Sequence, residues 1–402
     1  MALWGDGHTH SDWSDGLDTL QENTRLFQLY GEDFHFATDH LEIDVSRLDY
    51  RWEIDEWSQR LFRLHPGGLA AYQSECARAS SPQHVTIPGL ELIWANAAEG
   101  QFGAPADTHV LVREHLEQLP APAFFRNRSL RAILYELQAR GMRPFLAHIH
   151  DGIPWETLDG TEIAGLEMRY DIEQRESPFS RRRSLAQWDH WLSQGHHLPL
   201  SSGSDCHQMD LWAGSAMRNV VAADELSPAA VRRALHEGRS YLSATWHPDL
   251  YRRLGYEGIA PQSGGFTPWW LMAGAEACHD RPAMKEAVER MIATTLQDGR
   301  VRREYYPTLS FAVDGRGPGS TTEARDNCAL AIEVRMNVPV RQVRLIGQGE
   351  VRWQEELASE AQVFTLATQV SMRGSRYVRL EAWGSAGNGQ DEYLLSNPIY
   401  LV

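Results

Sequence analysis

The sequence predicts an α/β protein, with a parallel β/α barrel over residues 1–245 followed by an all-β sandwich over residues 307–402. In the first range, short apolar runs of strand length alternate with segments whose apolar residues recur at helical spacing, as in a parallel sheet covered by helices. Beyond residue 308, apolar residues occupy every second position, which is typical of strands with one buried face. A chain of 402 residues is long enough for two or three such domains.

The helices of the first region are predicted from apolar spacing and from the residues at their ends. The segment 17–30 has apolar residues at roughly helical spacing and stops at a glycine, a residue common just past a helix end. Apolar residues at i, i+3, i+4 and i+7 mark a later helix that starts near Leu130 and closes at Gly141. Ser227 and Pro228 are suited to the N-cap and first position of the last helix.

Short apolar runs between these helices predict the strands. In β/α barrels, functional residues gather at the C-terminal ends of the strands, and the polar candidates described below all lie at such ends in this assignment. The predicted strands after the first one are 34–38, 85–92, 108–112, 144–147, 164–169 and 198–204.

Residues 246–306 differ in composition from the segments before them, with proline, glycine and aromatic clusters around one predicted amphipathic helix. This segment is interpreted as a partly helical insertion or lid. The sandwich that follows carries no cluster of ligand-type residues, so its predicted role is structural or homo-oligomer-forming. Trp353 and Trp383 leave carbohydrate binding as an alternative.

Composition disfavours several classes of protein. A net charge of -16 argues against a protein that coats nucleic acid or an anionic membrane. No apolar run approaches the roughly 20 residues of a membrane span, and the N-terminus lacks the pattern of a signal peptide. The four cysteines are far apart without a C-x-x-C pair, which is typical of reduced thiols. We therefore expect a cytoplasmic enzyme that acts on a small molecule.

The most informative motif is the run from Gly5 to Gly16. His8 and His10 are two residues apart at the end of a predicted strand, so their side chains point to the same side and can reach one metal ion. Asp15, on the loop that follows, adds an oxygen ligand for a second ion. Two surface histidines on a strand would look the same, so this motif gains weight only from similar pieces later in the chain.

Those pieces follow successive predicted strands. Glu91 interrupts an apolar run, where a carboxylate is costly to bury unless it is paired or bound to metal. His109 also stands in an apolar strand, where a lone histidine is more often an ordinary core residue. The complete candidate ligand set is His8, His10, Asp15, His40, Glu91, His109, His148, Asp205 and His207.

This set is too large for one tetrahedral ion, and two or three ions sharing a bridging carboxylate would use all of it. Nitrogen and oxygen ligands without cysteine suit zinc, manganese or iron alike. Two close cations would activate a bound water and stabilise the attacking and leaving oxygens of a hydrolysis. His150 or His207, if not committed to metal, could protonate the leaving group. Arg169 is a candidate for binding an oxyanion, and an ion pair with Glu167 or Asp171 is the equally weighted alternative.

Taken in order, these pieces resemble the motifs of the polymerase-and-histidinol-phosphatase (PHP) superfamily of metal-dependent hydrolases. The matching pieces span nearly all of the first 210 residues. They are His8-Thr9-His10 with Ser14-Asp15-Gly16, Thr38-Asp39-His40, Gly89-Leu90-Glu91, His109, Ala147-His148 and Ser204-Asp205-Cys206-His207.

The resemblance implies a distorted seven-stranded β/α barrel with two or three metal ions. It implies one ion held by His8, His10, Glu91 and Asp205, a second reached by Glu91 with His109 and His148, and a third held by Asp15, His40 and His207. Ile149-His150 stands where the family often has proline, which leaves open whether His150 joins His148 as a ligand. A weaker likeness over residues 237–241 and 309–319 points to the carbaryl-hydrolase-like branch, in which a β-sandwich follows the barrel.

Three functions are weighed. The leading hypothesis is a phosphoesterase acting on a small phosphomonoester or phosphodiester. Its rival is a hydrolase of carboxyl esters, carbamates or amides, favoured by the branch resemblance and by the few basic residues near the ligand motifs. A non-catalytic structural or interaction module is the third, and the intact ligand set argues against it.

Overall fold

The computed structural model describes residues 1–29, 31–41, 64, 66–94, 108–121, 124, 128–147, 158–168, 178–207, 217–245, 306–386 and 391–402. In the described part of the first region, ten strands are interspersed with five α-helices. The strands are β1 (Ala2–Thr9), β2 (Phe34–Ala37), β3 (Val85–Pro88), β4 (Leu90–Trp94), β5 (Thr108–Val112), β6 (Phe145–Leu146), β7 (Gly165–Met168), β8 (Leu200–Ser202), β9 (Arg218–Ala222) and β10 (Ser240–Thr245). The helices are α1 (Leu20–Leu29), α2 (Leu69–Ala79), α3 (Leu130–Ala139), α4 (Pro178–Gln194) and α5 (Pro228–His236).

The helix ends follow the sequence signals. The hydroxyl of Ser227 accepts a hydrogen bond from the backbone N–H of Ala230 and caps α5, with Pro228 in the first turn. In α3 the predicted apolar face, Leu130, Ile133, Leu134 and Leu137, is buried. Gly141, just beyond α3, has a φ of 80°, a conformation that favours glycine. These predictions from local sequence are confirmed.

The strands of the first region form two sheet segments that join to make a curled sheet. In one segment β1, β2 and β3 run parallel, and β9 joins β1 antiparallel. In the other the order is β4-β5-β6-β7-β8. Parallel bridges between Thr9 and Cys206 and between His40 and Glu91 connect the two segments. These bridges bring residues far apart in sequence to one edge of the curled sheet.

Strand β5 departs from the predicted all-parallel arrangement. It runs antiparallel to both β4 and β6, whereas β6, β7 and β8 are parallel to one another. The prediction is wrong at this strand because an apolar run such as Val110 to Val112 has the same periodicity in either direction. The reversal has a consequence for the site, since the N-terminal end of β5 lies beside the C-terminal end of β4.

The described part of the C-terminal region contains nine further strands. They are β11 (Thr308–Val313), β12 (Thr321–Thr322), β13 (Cys328–Arg335), β14 (Val340–Gly347), β15 (Glu350–Glu356), β16 (Val363–Val370), β17 (Tyr377–Ser385), β18 (Asp391–Ser396) and β19 (Ile399–Leu401). Residues of β13 are alternately buried and exposed, as the period of two predicts. Strands β11, β13 and β16 form one antiparallel sheet, and their apolar side chains share a core with those of β14, β17 and β19.

The two regions share a sheet. Strand β18 pairs with β17 on one side and with β10 on the other, and β10 pairs with β9 of the first region. The Asn397 side chain strengthens this junction, because its amide accepts a hydrogen bond from the N–H of Leu200 at 2.6 Å and donates to the carbonyl of Leu200 at 2.9 Å. Residues 246–305, which make up nearly all of the predicted insertion, lie outside the described residues.

Three of the four cysteines, Cys76, Cys206 and Cys328, lie within the described residues and are buried, and Cys76 and Cys328 are free thiols. None of the described helices has the length and apolar character needed to cross a membrane.

Candidate metal centre

The first strand brings two histidines to the centre of the site. His8 is on β1 and His10 lies one residue beyond its end, and both side chains are fully buried. The backbone at His10 is fixed by a hydrogen bond from its N–H to the carbonyl of Cys206 and by another from the Asn23 side chain to its own carbonyl. The predicted common orientation of the two imidazoles is observed, with their Nε2 atoms 3.0 Å apart.

Asp205 reaches the same point from the loop after β8. Its N–H donates to the carbonyl of His8 at 2.9 Å, and its φ of 55° lies in the left-handed region that a non-glycine residue rarely adopts. The close approach of this loop to β1 requires a glycine at position 203, because a Cβ there would lie 2.2 Å from that of His8. The loop is therefore shaped to bring a carboxylate against the histidine pair.

Glu91 lies between the two sheet segments and contacts histidines from three elements. Its Oε2 lies 3.1 Å from His8 Nε2, 3.2 Å from His10 Nε2 and 3.4 Å from His40 Nδ1. Its Oε1 lies 2.5 Å from His109 Nδ1. One carboxylate oxygen thus faces the first pair of histidines and the other faces His109, as a bridging carboxylate would.

His109 reaches Glu91 because β5 is reversed. It is the second residue of that strand and pairs with Ile93 near the end of β4. On a parallel strand, a residue so near the start would lie at the opposite edge of the sheet. The sequence-based picture of ligands only at C-terminal strand ends is therefore wrong for His109, although the residue does join the cluster.

Four ligand-type residues form the group we call site A: His8, His10, Glu91 and Asp205. The distance between the two Nε2 atoms and the four distances from them to Glu91 and Asp205 range from 3.0 to 3.5 Å. In a tetrahedral shell with metal–ligand bonds of about 2.1 Å, neighbouring ligand atoms lie about 3.4 Å apart. Because each Nε2 can carry only one hydrogen, hydrogen bonds alone do not account for so many mutual contacts. The spacing and the donor set fit a metal ion.

A second group, which we call site B, consists of Asp15, His40 and His207, with His10 at its boundary. Asp15 Oδ2 lies 3.0 Å from His207 Nε2 and 3.7 Å from His40 Nε2. His10 Nδ1 lies 3.5 Å from Asp15 Oδ1. Because the Nε2 of His10 faces site A and a neutral imidazole has one lone pair to offer, His10 belongs to site A. Site B then has three ligands, as in metal sites that keep a position open for water or substrate.

Asp39 holds the loop that carries Asp15. Its fully buried carboxylate accepts hydrogen bonds from the N–H and hydroxyl of Ser11 and from the hydroxyl of Ser14, at 2.7 to 2.8 Å. Asp6 acts similarly on site A, because its carboxylate accepts from the backbone N–H groups of His8 and Ser204. Sequence reasoning assigned no role to Asp6, and it treated Asp39 only as part of a motif.

The electrostatics are those of carboxylates gathered around imidazoles. Burial lowers the pKa of His8, but Glu167, Glu91 and Asp205 outweigh burial and raise that pKa to about 10. At His40 burial prevails over Asp15 and Glu91, and the pKa falls to about 4. Burial raises the pKa of Asp15, but His207 and His40 lower it well below its usual range. Within the described residues, His10 Nδ1 and His40 Nδ1 have no hydrogen-bond partner, which is uncommon for buried polar atoms.

Seven of the nine predicted ligands belong to site A or site B, and His109 contacts Glu91 from β5. The remaining predicted ligand, His148, lies outside the described residues, as do His150 and Arg169. The side that faces solvent is marked by His109 and His207, whose side chains are 15% and 19% exposed, whereas His8 and His10 are fully buried.

Glu167 and Arg113 are contacts of the site that sequence reasoning missed. The sequence offers Glu167 only as a partner for Arg169, yet its Oε2 lies 2.8 Å from His8 Nδ1 and its Oε1 accepts a hydrogen bond from Arg113. The signal was present, because Glu167 interrupts an apolar strand just as Glu91 does.

Neither a protein-family model nor a curated protein sequence matches the chain. Among solved structures, it is similar to a two-domain protein from Bacteroides vulgatus with a predicted PHP-like metal-dependent phosphoesterase, at 13% identity and a TM-score of 0.41, over 100% of this chain and 95% of that one. A lesion-specific endonuclease from Pyrococcus furiosus is similar at 16% identity and a TM-score of 0.35, over 59% of this chain and 56% of the endonuclease.

An amidohydrolase from Chromobacterium violaceum, with bound sulfate and no metal, is similar at 14% identity and a TM-score of 0.29, over 53% of this chain and 90% of that one. All three TM-scores are below 0.5, so these likenesses establish neither a shared fold nor a shared activity.

Proposed function

We propose that the protein is a metal-dependent hydrolase of the PHP superfamily that cleaves a small phosphomonoester or phosphodiester. The observation that carries this proposal is the position of Glu91, with Oε2 among the histidines of site A and Oε1 on His109. A carboxylate shared between neighbouring ligand groups is the arrangement that holds two cations close together.

Divalent ions, zinc, manganese or iron, would be held in site A by His8, His10, Glu91 and Asp205, and in site B by Asp15, His40 and His207. A further ion beside Glu91 would use His109 and the predicted ligand His148. When bound, such ions lower the pKa of water and stabilise negative charge on the reacting oxygens.

The chain's own residues set the geometry around those ions. The carboxylate of Asp39 fixes the loop of Asp15, and the carboxylate of Asp6 fixes the backbone on either side of site A. His207 is the most exposed ligand of site B, and its Nδ1 lies 2.8 Å from the carbonyl oxygen of Asp205. That contact orients the ring so that Nε2 faces Asp15. His150 and Arg169 are proposed to protonate the leaving group and to bind the anionic substrate oxygens.

A second candidate is a hydrolase of carboxyl esters, carbamates or amides on the same centre. It is favoured by the partners of Arg113, an arginine that contacts Glu167 beside His8. Arg113 faces Glu167 and the carbonyl of Gly7, and so it is not directed at a substrate. A neutral substrate needs no arginine for binding, whereas an anionic phosphate usually attracts one. A non-catalytic role remains the third hypothesis.

Initial rates on p-nitrophenyl phosphate, bis(p-nitrophenyl) phosphate and p-nitrophenyl acetate, with added manganese or zinc, test the proposal. Metal-dependent release from either phosphate reporter, abolished in Glu91→Gln and retained in the matched Glu162→Gln, is the expected result. Glu162 is buried like Glu91, but its partner is an arginine, Arg131, and it belongs to neither ligand group. Turnover of the acetate alone would replace the phosphoesterase by the ester hydrolase, and no metal-dependent turnover would favour the non-catalytic role.

A further inference from the structure

Arg113, Glu167 and His8 form a fully buried polar chain behind site A. Glu167 Oε2 lies 2.8 Å from His8 Nδ1, and Arg113 Nη2 donates to Glu167 Oε1 at 3.0 Å. All three residues are at most 1% exposed. Burying a glutamate and an arginine costs free energy that apolar residues of the same size would not, so stability alone does not explain the pair.

We infer that Glu167 is a positioning residue that fixes the tautomer and ring orientation of His8 for metal binding. A carboxylate only accepts hydrogen bonds, so the Nδ1 of His8 must carry the hydrogen between them. In the neutral ring the lone pair is then on Nε2, the atom that faces Glu91 and Asp205. The inference rests on the metal centre of the proposed function and adds the group that prepares one of its ligands.

Arg113 makes this arrangement rigid. Its Nε and Nη2 donate to the carbonyl of Gly7, the residue before His8, and its Nη1 donates to the hydroxyl of Ser201 on β8. The guanidinium carbon lies 5.3 Å from the centre of the Phe36 ring and 5.1 Å from that of Phe145. These contacts leave Glu167 one favourable position, with Oε1 toward Arg113 and Oε2 toward His8.

Glutamine at position 167 would test this assignment because it matches glutamate in shape but not in hydrogen bonding. Arg113 offers only donors, so the glutamine oxygen should face Arg113 and the NH₂ group should face His8. The NH₂ group donates, which favours the His8 tautomer with its hydrogen on Nε2. That hydrogen would have to leave before Nε2 could bind a metal.

The experiment is a titration of the metal-free protein with Co²⁺, followed by its visible absorption, and a zinc competition assay. It compares wild type with Glu167→Gln, Glu167→Asp and Glu381→Gln. Glu381 is a matched control, since it is also buried and bonded to arginines but lies in the C-terminal region. We expect Glu167→Gln to weaken metal binding by roughly 10-fold to 100-fold and to change the Co²⁺ spectrum, and Glu381→Gln to do neither.

The aspartate variant keeps an acceptor-only carboxylate, so it should retain more affinity than the glutamine variant. Glu167→Gln with wild-type affinity and spectrum would overturn the inference, as would an equal loss in Glu381→Gln or a larger loss in Glu167→Asp than in Glu167→Gln. A wild type that binds Co²⁺ but cleaves no reporter would overturn the proposed function and not this inference. A wild type that binds no Co²⁺ would overturn both.

Discussion

Two clusters of buried carboxylates, one around Arg379 of the C-terminal region and one in sites A and B, differ in the cationic side chains that face them. In the C-terminal region Arg379 donates to both oxygens of Asp189 at 2.8 Å and to Glu381 at 2.5 Å, and Arg344 completes the set. There, carboxylates face permanent cations. In sites A and B, the carboxylates face histidines, whose charge depends on protonation. In the first cluster each carboxylate has a permanent cation beside it, whereas in the second the spacing and the donor set fit a metal ion.

The difference shows how a structural cluster can be separated from a ligand site. Asp189 is on α4 and Arg379 is on β17, so the C-terminal cluster joins the two regions of the chain. Tyr377 adds a hydrogen bond to Asp189 at 2.6 Å. In site A, by contrast, the facing atoms of several residues converge on a common point rather than pairing one to one.

The largest expected effect comes from breaking site A with Asp205→Asn. We expect the hydrolytic rate to fall by about a thousandfold or more, because several kcal/mol of charge stabilisation by the ion would be lost. The free energy of unfolding of the metal-free protein should change little, because the variant weakens the contacts of Asp205 with His8 and His10 but also relieves its repulsion with Glu91. Steady-state rates and urea unfolding in a chelator measure the two effects. Retained activity, or marked destabilisation of the metal-free variant, would contradict the comparison.

Disrupting the cluster around Arg379 with Arg379→Met should lower the stability of the protein and leave its metal binding unchanged. The variant leaves Asp189 and Glu381 buried without their shared cation, which should cost about 3–5 kcal/mol of unfolding free energy. Metal bound per folded molecule should not change. Urea unfolding and metal analysis of the folded fraction measure this. The matched control Arg373→Met, in an exposed pair with Asp326, should cost less than about 1 kcal/mol. An equal cost for both variants would remove the distinction.

A third buried group, the pair of His35 and His84, sharpens the comparison because no carboxylate among the described residues forms an ion pair with either ring. His84 Nδ1 lies 2.9 Å from the carbonyl oxygen of Glu32, and its Nε2 lies 2.8 Å from His35 Nδ1. Burial lowers the pKa of His84 to about 4, and burial together with His84 lowers that of His35. The unfolded chain therefore binds more protons below pH 6.5, and stability should fall as the pH drops from 6.5 toward 4.

The contribution of His84 should approach about 1 kcal/mol per pH unit in that window. His84→Gln, which can still donate to Glu32, should reduce the slope of unfolding free energy against pH. His190→Gln, at an exposed position on α4, should leave the slope unchanged. Urea unfolding in a chelator from pH 4.5 to 7 would measure it. An unchanged slope in His84→Gln would contradict the assignment.

The smallest effect is expected from a site unrelated to either cluster. Ser227→Ala removes the hydroxyl that accepts from the N–H of Ala230, and should cost about 1 kcal/mol of unfolding free energy without changing metal affinity. Thermal unfolding with and without zinc checks both expectations. A shift in metal affinity would show that α5 is coupled to the metal centre and would contradict the expectation.

Much of the candidate site was predictable because the ligands are encoded locally. His8 and His10 share a face through the two-residue period of a strand, and a carboxylate in an apolar run, such as Glu91, signals a buried partner. Helix ends were predictable for the same reason, since the cap at Ser227 involves residues close in sequence.

Only the tertiary structure decided the direction of the strands and which residues far apart in the chain contact each other. Periodicity does not encode strand direction, so the reversal of β5 and the resulting contact of His109 with Glu91 appear only in the fold. Nothing local to Glu167 indicates His8, which is 159 residues away, or Arg113, which is 54 residues away. The sequence by itself determined which side chains can bind metal. The packing of the strands decided which of them meet, because that depends on pairings between segments far apart in the chain.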